Sequence, residues 1–499
     1  MPNSDSETLP VDTAPAPPRS VPAGLTLTAL AAGFVMAALD VTVVNVAGAA
    51  IQQHLHASLG ELTWIVDGYV LTFSSLLMLA GGLANRIGAK TIYLWGMAIF
   101  FLASLACALA PTAATLIAAR IVQGAGAALF MPSSLSLLVF SFPEQRKRTQ
   151  MLGLWSAIVA TAAGLGPTVG GLLVSAFGWQ SIFLINLPIG IIGMLLTRRY
   201  IPPISGRAIK LAVPGHVLWI VALAALSFAL IEGPHLGWGS DPMLVTYAAL
   251  LSASVLLVVH ERHSANLVMP WELFRRPSFT GANLVGFLFN LALYGTMFLL
   301  ALYLQHARGA TPFQAGLQLL PMTIWFPLGN LAYSRISAHI PNGPLLTLFL
   351  STAGIASLTM TTLSPTTPYW LLALTVATAN IGAGIISPAM TAALIDAAGP
   401  HHANTAASTL NANRQIGTLV GIAAISVTLT TIPNDPRGPA TCFLLIGIAY
   451  LTAAFTAWLL ITRPNHSSKQ LTNEAQASSH TPARCPDEPS PRVQRGCAG

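Results

Sequence analysis

Charge is what this sequence has least of. Only 8% of its 499 residues are Asp, Glu, Lys or Arg, where a soluble globular chain carries about 25%. A mean hydropathy of +0.67 agrees with that excess of apolar residues. A soluble domain is excluded. Cysteine is scarce as well: Cys107 and Cys442 lie in apolar segments, Cys485 and Cys497 in a polar C-terminal stretch, with no CxxC or Cys/His spacing. Free thiols are expected, and no disulfide framework or metal site. Histidines such as His54, His56, His401 and His402 fall between apolar segments without metal spacing. There is no GxxxxGK[ST] loop, so ATP is not expected to power the protein, and no cofactor is implied. GxSxG, HExxH and paired catalytic carboxylates are absent too, which leaves no enzyme reading. The +7 net charge is not gathered into a basic patch, so nucleic acid is not an expected partner. The N-terminus has no basic region ahead of a short apolar core, and no cleaved signal peptide is expected.

What the chain has instead is long apolar runs. About 20 residues cross the roughly 30 Å hydrocarbon core of a bilayer. Segments of that order fall at 24–50, 61–83, 91–110, 113–139, 150–175, 180–200, 212–233, 242–260, 279–305, 313–335, 344–363, 369–395, 404–431 and 438–462. The expected fold is all-α and polytopic, with fourteen transmembrane helices. Basic residues test that count, because they collect in cytoplasmic loops. With both termini inside, all 23 Lys and Arg fall in cytoplasmic segments except Arg308 and Arg437 in outer loops and Arg120 and Arg414 within spans. The expected localisation is the plasma membrane, multi-pass, with both ends cytoplasmic.

Weak internal symmetry accompanies the count. GGLANRI (Gly81 to Ile87) is echoed by GNLAYSRI (Gly329 to Ile336), QGAGAALFMP (Gln123 to Pro132) by NIGAGIISP (Asn380 to Pro388), and GPTVG (Gly166 to Gly170) by GTLVG (Gly417 to Gly421). Each pair is eight spans apart, as two six-helix repeats with two helices inserted between them would give. Repeated halves are a transporter signature, with the substrate site expected between them near the midplane. The expected domains are a disordered N-tail (1–22), a six-helix bundle (23–200), two linker helices with a cytoplasmic segment (201–278), a second six-helix bundle (279–462) and a disordered C-tail (463–499).

Ionisable residues inside spans are expensive and mark function by default. Asp40 is a lone acid in the first span. Arg120 in the fourth lies within a few Å of its depth at 1.5 Å per residue. A carboxylate desolvated by burial and countered by a movable arginine takes up and releases protons; a static ion pair that fixes packing is the alternative. Asp67, about six residues into span two, reads either as functional or as a hydrated interfacial acid. Arg414 in span thirteen has no acid at its depth, and either binds an anionic group of a substrate or pairs structurally. Glu232 reads as interfacial. Gly164, Gly166, Gly170 and Gly171 around Pro167 form a face without side chains, suited to close helix approach and a local bend. Trp64, Phe73, Met131, Trp155, Phe289, Tyr294, Phe298, Met322 and Trp325 are candidates for an apolar pocket, with core or lipid contact as the plainer reading.

Six motifs occur in order: LDVTVVNVA (Leu39 to Ala47), WIVDGYVL (Trp64 to Leu71), GGLANRIGAK (Gly81 to Lys90), RIVQGAGAA (Arg120 to Ala128), GLGPTVGG (Gly164 to Gly171) and WQSIFLINLPIG (Trp179 to Gly190). Together they resemble the fourteen-helix drug:proton antiporters of the major facilitator superfamily. The resemblance implies proton coupling through Asp40 and Arg120, proton handling or cation recognition at Asp67, and an exporter's antiporter motif in the span-five glycines. It also implies a cytoplasmic gating loop at Gly81, Asn85, Arg86, Gly88 and Lys90. There Asn85 stands where the family has an acid and Ala89 where a second basic residue is usual, so an ion-pair gate is in doubt. Gly48 and Ala49 replace the family's Leu-Pro. The expected function is a proton-driven antiporter that exports small amphipathic drugs or antibiotics by alternating access, its partners being protons, a small molecule and the lipid bilayer. A dedicated exporter of one endogenous metabolite and a non-transporting membrane sensor stay open as alternatives.

Overall fold

The computed structural model describes residues 22–142, 144–203, 212–263, 271–399, 403–432 and 437–463. Both expected tails, apart from Pro22 and Arg463, lie outside the described residues, as do His401 and His402. Within those limits the chain is helical. In lipid a backbone N–H or C=O has no water to bond, so only structures that satisfy every such group internally survive. The helices are α1 (Ala23–Leu55), α2 (Leu59–Ile87), α3 (Ala89–Ala108), α4 (Ala113–Ser141), α5 (Gln145–Phe177), α6 (Ser181–Leu184), α7 (Asn186–Tyr200), α8 (Val213–Leu236), α9 (Asp241–His263), α10 (Pro277–Leu302), α11 (Pro312–Gln318), α12 (Leu320–Thr323), α13 (Trp325–Ile336), α14 (Asn342–Thr359), α15 (Tyr369–Asn380), α16 (Ala383–Ala398), α17 (Ala403–Thr431) and α18 (Arg437–Ala457).

Among the described residues, twelve helices are long and apolar enough to cross a membrane. The two remaining segments read as spans, 313–335 and 404–431, are helical but different in kind. The first is divided into α11, α12 and α13; Pro321 and Pro327 each remove a backbone donor there, which interrupts a helix. The second is the unbroken 29-residue α17, which carries Arg414. Capping boxes start the helices that follow short turns: Ser58 with Glu61, Thr112 with Thr115, and Thr311 with Gln314. Each satisfies two of the free N–H groups of a first turn.

Helices α1 to α7 pack on one another, and α10 to α18 do the same; α8 lies against both α2 and α17, and α9 packs chiefly on α8. Long apolar side chains such as Leu102, Val245, Leu251 and Trp370 stand exposed on the outside. A soluble monomer rarely shows so much apolar surface, whereas lipid tails are its natural contact.

Glycine sets the closest approaches. A Cβ on Gly96 would lie 2.7 Å from the Phe130 N, and one on Gly126 2.6 Å from the Phe100 N, so α3 and α4 touch along their backbones. In the other group, a Cβ on Gly417 would strike the Phe287 carbonyl and one on Gly421 the Leu291 carbonyl, bringing α17 onto α10 in the same manner. Such surfaces suit a membrane, where helices associate by packing rather than by a hydrophobic drive. Gly421→Val should therefore force α10 and α17 apart at a cost of about 1–3 kcal/mol. The check is the thermal unfolding midpoint of the purified protein, which an unimportant contact would leave where it is.

Candidate functional site

The two lone charges of the first group meet. Arg120 of α4 and Asp40 of α1 form an ion pair, with both side chains almost completely buried. Around it lies a closed set of polar partners. Arg120 donates through Nε to the Ile65 carbonyl at 2.9 Å and through Nη1 to Gln123 Oε1 at 2.6 Å. Gln123 donates its amide to Asp40 Oδ1 at 3.0 Å and to Ser104 Oγ at 2.9 Å, and Asn186 reaches the same hydroxyl at 3.4 Å. The guanidinium lies 4.3 Å from the centre of the Tyr69 ring and 5.8 Å from that of Phe183. Helices α1, α2, α3, α4 and α7 thus converge on one pair. Gly124 makes this possible, because any Cβ there would strike the Tyr69 carbonyl and hold α4 away from α2.

The partners of Arg120 carry a chemical consequence. An arginine whose only counter-charge is a carboxylate is stranded when that carboxylate takes up a proton. Here it keeps a backbone carbonyl, an amide oxygen and an aromatic face, each a sound partner for a cation. Asp40 can therefore change its protonation state without leaving a bare charge in the core. Sequence reading missed Gln123, Ser104 and Asn186. Gln123 had a signal: it lies three residues after Arg120, on the same helix face. The other two had none.

Asp67 is not hydrated. The expected alternative of an interfacial acid fails, because the residue is fully buried and neither carboxylate oxygen has a hydrogen-bond partner. Helix α2 starts at Leu59, which sets Asp67 eight residues, or about 12 Å, below its first residue. One turn above it, Thr63 bonds to Ser426 of α17 at 2.6 Å. Asp67 thus lies one helical turn from the contact that Thr63 makes with the other group of helices. An unpartnered carboxyl is costly to bury, so its placement marks Asp67 as a candidate for function. Glu232 of α8 accepts a hydrogen bond from Trp64 Nε1 at 2.7 Å, so this acid too has a specific partner rather than only water.

The span-five glycines divide their contacts between the two groups. A Cβ on Gly166 would collide with Thr42 and one on Gly170 would lie 2.9 Å from Val43 Cβ, both two or three residues from Asp40 in α1. A Cβ on Gly164 would lie 3.0 Å from the Thr323 carbonyl, and one on Gly171 would strike that of Pro312, both in the second group. The Pro167 carbonyl lies where Gly316 has no Cβ. Helix α5 runs unbroken through Pro167.

Four hydrogen bonds between described residues cross from one group to the other. They are Thr63 to Ser426, Gln305 Nε2 to the Val46 carbonyl at 3.0 Å, Thr168 Oγ1 to the Gly316 carbonyl at 3.1 Å, and the Phe313 N–H to Ser175 Oγ at 3.1 Å. All four lie toward the end of the molecule where α1 stops and α2 starts. At the opposite end α5 is loose: from Arg146 to Ala163 no described side chain is buried, while Gly164, Gly166, Gly170, Gly171 and Val174 are. The side-chain hydrogen bonds between the groups thus gather at one end, while α17 stays packed on α2 toward the other, where Ala412 shares a core cluster with residues of α2.

The stretch expected as a gating loop is mostly helical. Gly81, Asn85 and Arg86 belong to α2, which continues to Ile87, and the connection to α3 is Gly88 alone, at φ 114°. Only glycine takes that conformation at no cost. Asn85 and Arg86 stand exposed and make no ion pair among the described residues. Lys90 donates to the Ile201 carbonyl at 2.6 Å and the Arg198 carbonyl at 3.2 Å, closing the end of α7. Arg414 makes no ion pair among the described residues either, and its Nε is buried without a partner. Of the pocket aromatics, Phe73, Phe289 and Phe298 are buried in the core with Met322, while Met131, Trp155, Tyr294 and Trp325 are partly exposed.

Residues 30–422 match the Major Facilitator Superfamily. The chain belongs to that family. It is 70% identical over 450 residues to a methylenomycin A resistance protein of Streptomyces coelicolor, covering 90% of this chain and 95% of that one. A protein of the same name from Bacillus subtilis is 46% identical over 88% of this chain and 94% of its own. The multidrug resistance protein Stp of Mycobacterium tuberculosis is 35% identical over 81% and 75%. This superfamily member is thus a multi-pass membrane transporter with relatives named for antibiotic resistance and drug efflux.

Two stability effects follow. Gln123→Leu strands Asp40 Oδ1 and takes an acceptor from Arg120 Nη1, and should cost about 1–3 kcal/mol. Asp67→Leu removes an unpartnered polar group and should raise stability by about the same amount. Thermal unfolding in detergent measures both, and a fall in midpoint for Asp67→Leu would mean that the carboxyl has a partner.

Proposed function

We propose that this protein is a proton-coupled antiporter that exports a small amphipathic antibiotic across the plasma membrane by alternating access. In this reading fourteen helices cross the bilayer, α11 to α13 forming one span and α17 another, with both termini cytoplasmic. The two groups of helices are then six-helix bundles, 23–200 and 279–462, joined through α8 and α9. The observation that carries the reading is the Asp40–Arg120 pair: a carboxylate sealed inside one bundle, next to the glycine face of α5, whose arginine keeps other partners when the acid is protonated. A proton entering from outside neutralises Asp40 and frees Arg120 to lean on Ile65, Gln123 and Tyr69. That shift reaches Thr42 and Val43, against which Gly166 and Gly170 pack, and biases the bundles toward the other state. Asp67, one turn from the contact between α2 and α17, serves as a second carrier when the contact opens. With this orientation the hydrogen bonds between the groups lie toward the outer side, and the less buried half of α5 lies toward the cytoplasm.

Methylenomycin A is the first cargo to test, because relatives from two genera, 70% and 46% identical, bear its name. That also favours the narrower of two exporter readings, a dedicated resistance pump over a broad one. A sensitive host expressing the gene should survive methylenomycin A and remain sensitive to unrelated cationic dyes. In everted vesicles, adding methylenomycin A should release protons from the acidified lumen with wild-type protein, and Asp40→Asn should abolish that release while the protein still inserts. Release that persists undiminished in Asp40→Asn would show coupling elsewhere.

A further inference from the structure

Glu232 is an acid that the antiport scheme leaves without a task, and it stands beside one that the scheme uses. Helix α2 lays Gly60, Trp64 and Asp67 along one stripe, since residues at i, i+4 and i+7 share a helix face. Helix α8 meets the start of that stripe with His235 and Glu232, which lie one turn apart on a face of their own. A Cβ on Gly60 would lie 2.8 Å from His235 Nε2, and Trp64 Nε1 donates to Glu232 Oε1 at 2.7 Å. Phe228, one turn before Glu232 on α8, sets its ring centre 6.3 Å from that of Trp64, so two apolar rings crowd the seam next to that bond.

Exposure falls in steps along this seam. His235 is exposed, Glu232 is half-buried, and Asp67 is buried with both carboxylate oxygens unpartnered. A carboxyl cut off from water exchanges its proton only through a group that reaches water, and Glu232 is such a group. Other titratable side chains on the surrounding helices have other places. Glu61 of α2 is held in its capping box by Ser58, and Tyr69 turns its ring to Arg120. Asp241 and Tyr247 belong to α9. The charge that α17 carries, Arg414, lies about 18 Å along that helix from Ser426.

We propose that the seam between α2 and α8 is the route by which protons reach Asp67, with Glu232 as the relay acid and His235 at the mouth. This rests on the antiport reading, which makes Asp67 a proton carrier, and adds the path by which it is loaded. A proton from outer water binds the Glu232 carboxylate. The indole N–H then has a neutral acceptor in place of a charged one, a bond roughly half as strong, and the Trp64 ring is free to swing. With the ring aside, the proton passes through an intervening water to Asp67. Glu232, ionised again, recaptures the indole and takes the next proton from outside. Trp64 is thus the latch, and Glu232 is both its catch and the carrier.

The experiment uses the full chain in lipid nanodiscs and follows, after a sudden drop in pH, the carboxyl infrared band that Asp67→Asn removes. Glu232→Gln keeps an acceptor for the indole, so an acid that only pinned the helices would be replaced without effect. As a relay, its loss should slow the rise of the Asp67 band on the order of a hundredfold. Glu232→Ala, which leaves room, should be equally slow and regain speed when azide, a small weak acid, is added. Trp64→Phe lacks the N–H and should load no more slowly than wild type. A rise as fast in Glu232→Gln as in wild type, no rescue of Glu232→Ala by azide, a Trp64→Phe as slow as Glu232→Gln, or no Asp67 band at any pH overturns the proposal. The antiport reading is measured separately, by proton release on adding methylenomycin A to everted vesicles. Absent release with normal loading through Glu232 removes the antiporter and leaves the proton route standing. Intact release with loading that ignores Glu232 does the reverse.

Discussion

The ion pair of Asp40 and Arg120 governs the arrangement of the first bundle. Neither charge is tolerable alone in a medium that cannot solvate it, and together they need further hydrogen bonds to be held there. That demand draws in Gln123, Ser104, Asn186 and the Ile65 carbonyl, and so fixes where α2, α3 and α7 stand relative to α1 and α4. The glycines of α4 then have a definite task. Gly124 lets α4 reach α2, and Gly126 lets it reach α3. Charge sets the requirement, and the absence of side chains elsewhere allows it to be met.

The same logic explains what could be read from the sequence. Asp40 and Arg120 were legible because a charge in an apolar run is conspicuous and helix depth is simple arithmetic. The full burial of Asp67 was not legible because nothing in α2 itself tells which helices pack around it; one turn away, Thr63 already meets a residue 363 positions distant. The stretch from Gly81 to Lys90 read as a loop because the apolar run ends at 83 and its motif resembles the superfamily's loop. In fact α2 runs on to Ile87 and a single glycine at positive φ makes the turn. Ser104 and Asn186 are ordinary polar residues whose role exists only once α3 and α7 meet at Gln123.

The two bundles solve one problem with opposite chemistry. In each, a helix with paired glycines lies bare against a long first helix: Gly166 and Gly170 of α5 on α1, Gly417 and Gly421 of α17 on α10. The repeat seen in the sequence is therefore a repeat of packing. The charges differ. The first bundle encloses a cation with its own acid, whereas the second holds Arg414 with no acid of its own among the described residues.

The seam beside Gly171 and Gly316 is made of backbone against backbone, with the carbonyls of Pro312 and Pro167 filling the places where side chains would be. Side chains hop between rotamers, and each hop opens a gap; a main-chain contact has no rotamers to sample. Such a seam therefore offers few transient gaps. Under the antiport proposed above, any transient water wire would drain the driving gradient, so the bareness of these helices would bear on efficiency as much as on motion. Enlarging one glycine here would wedge the two backbones apart.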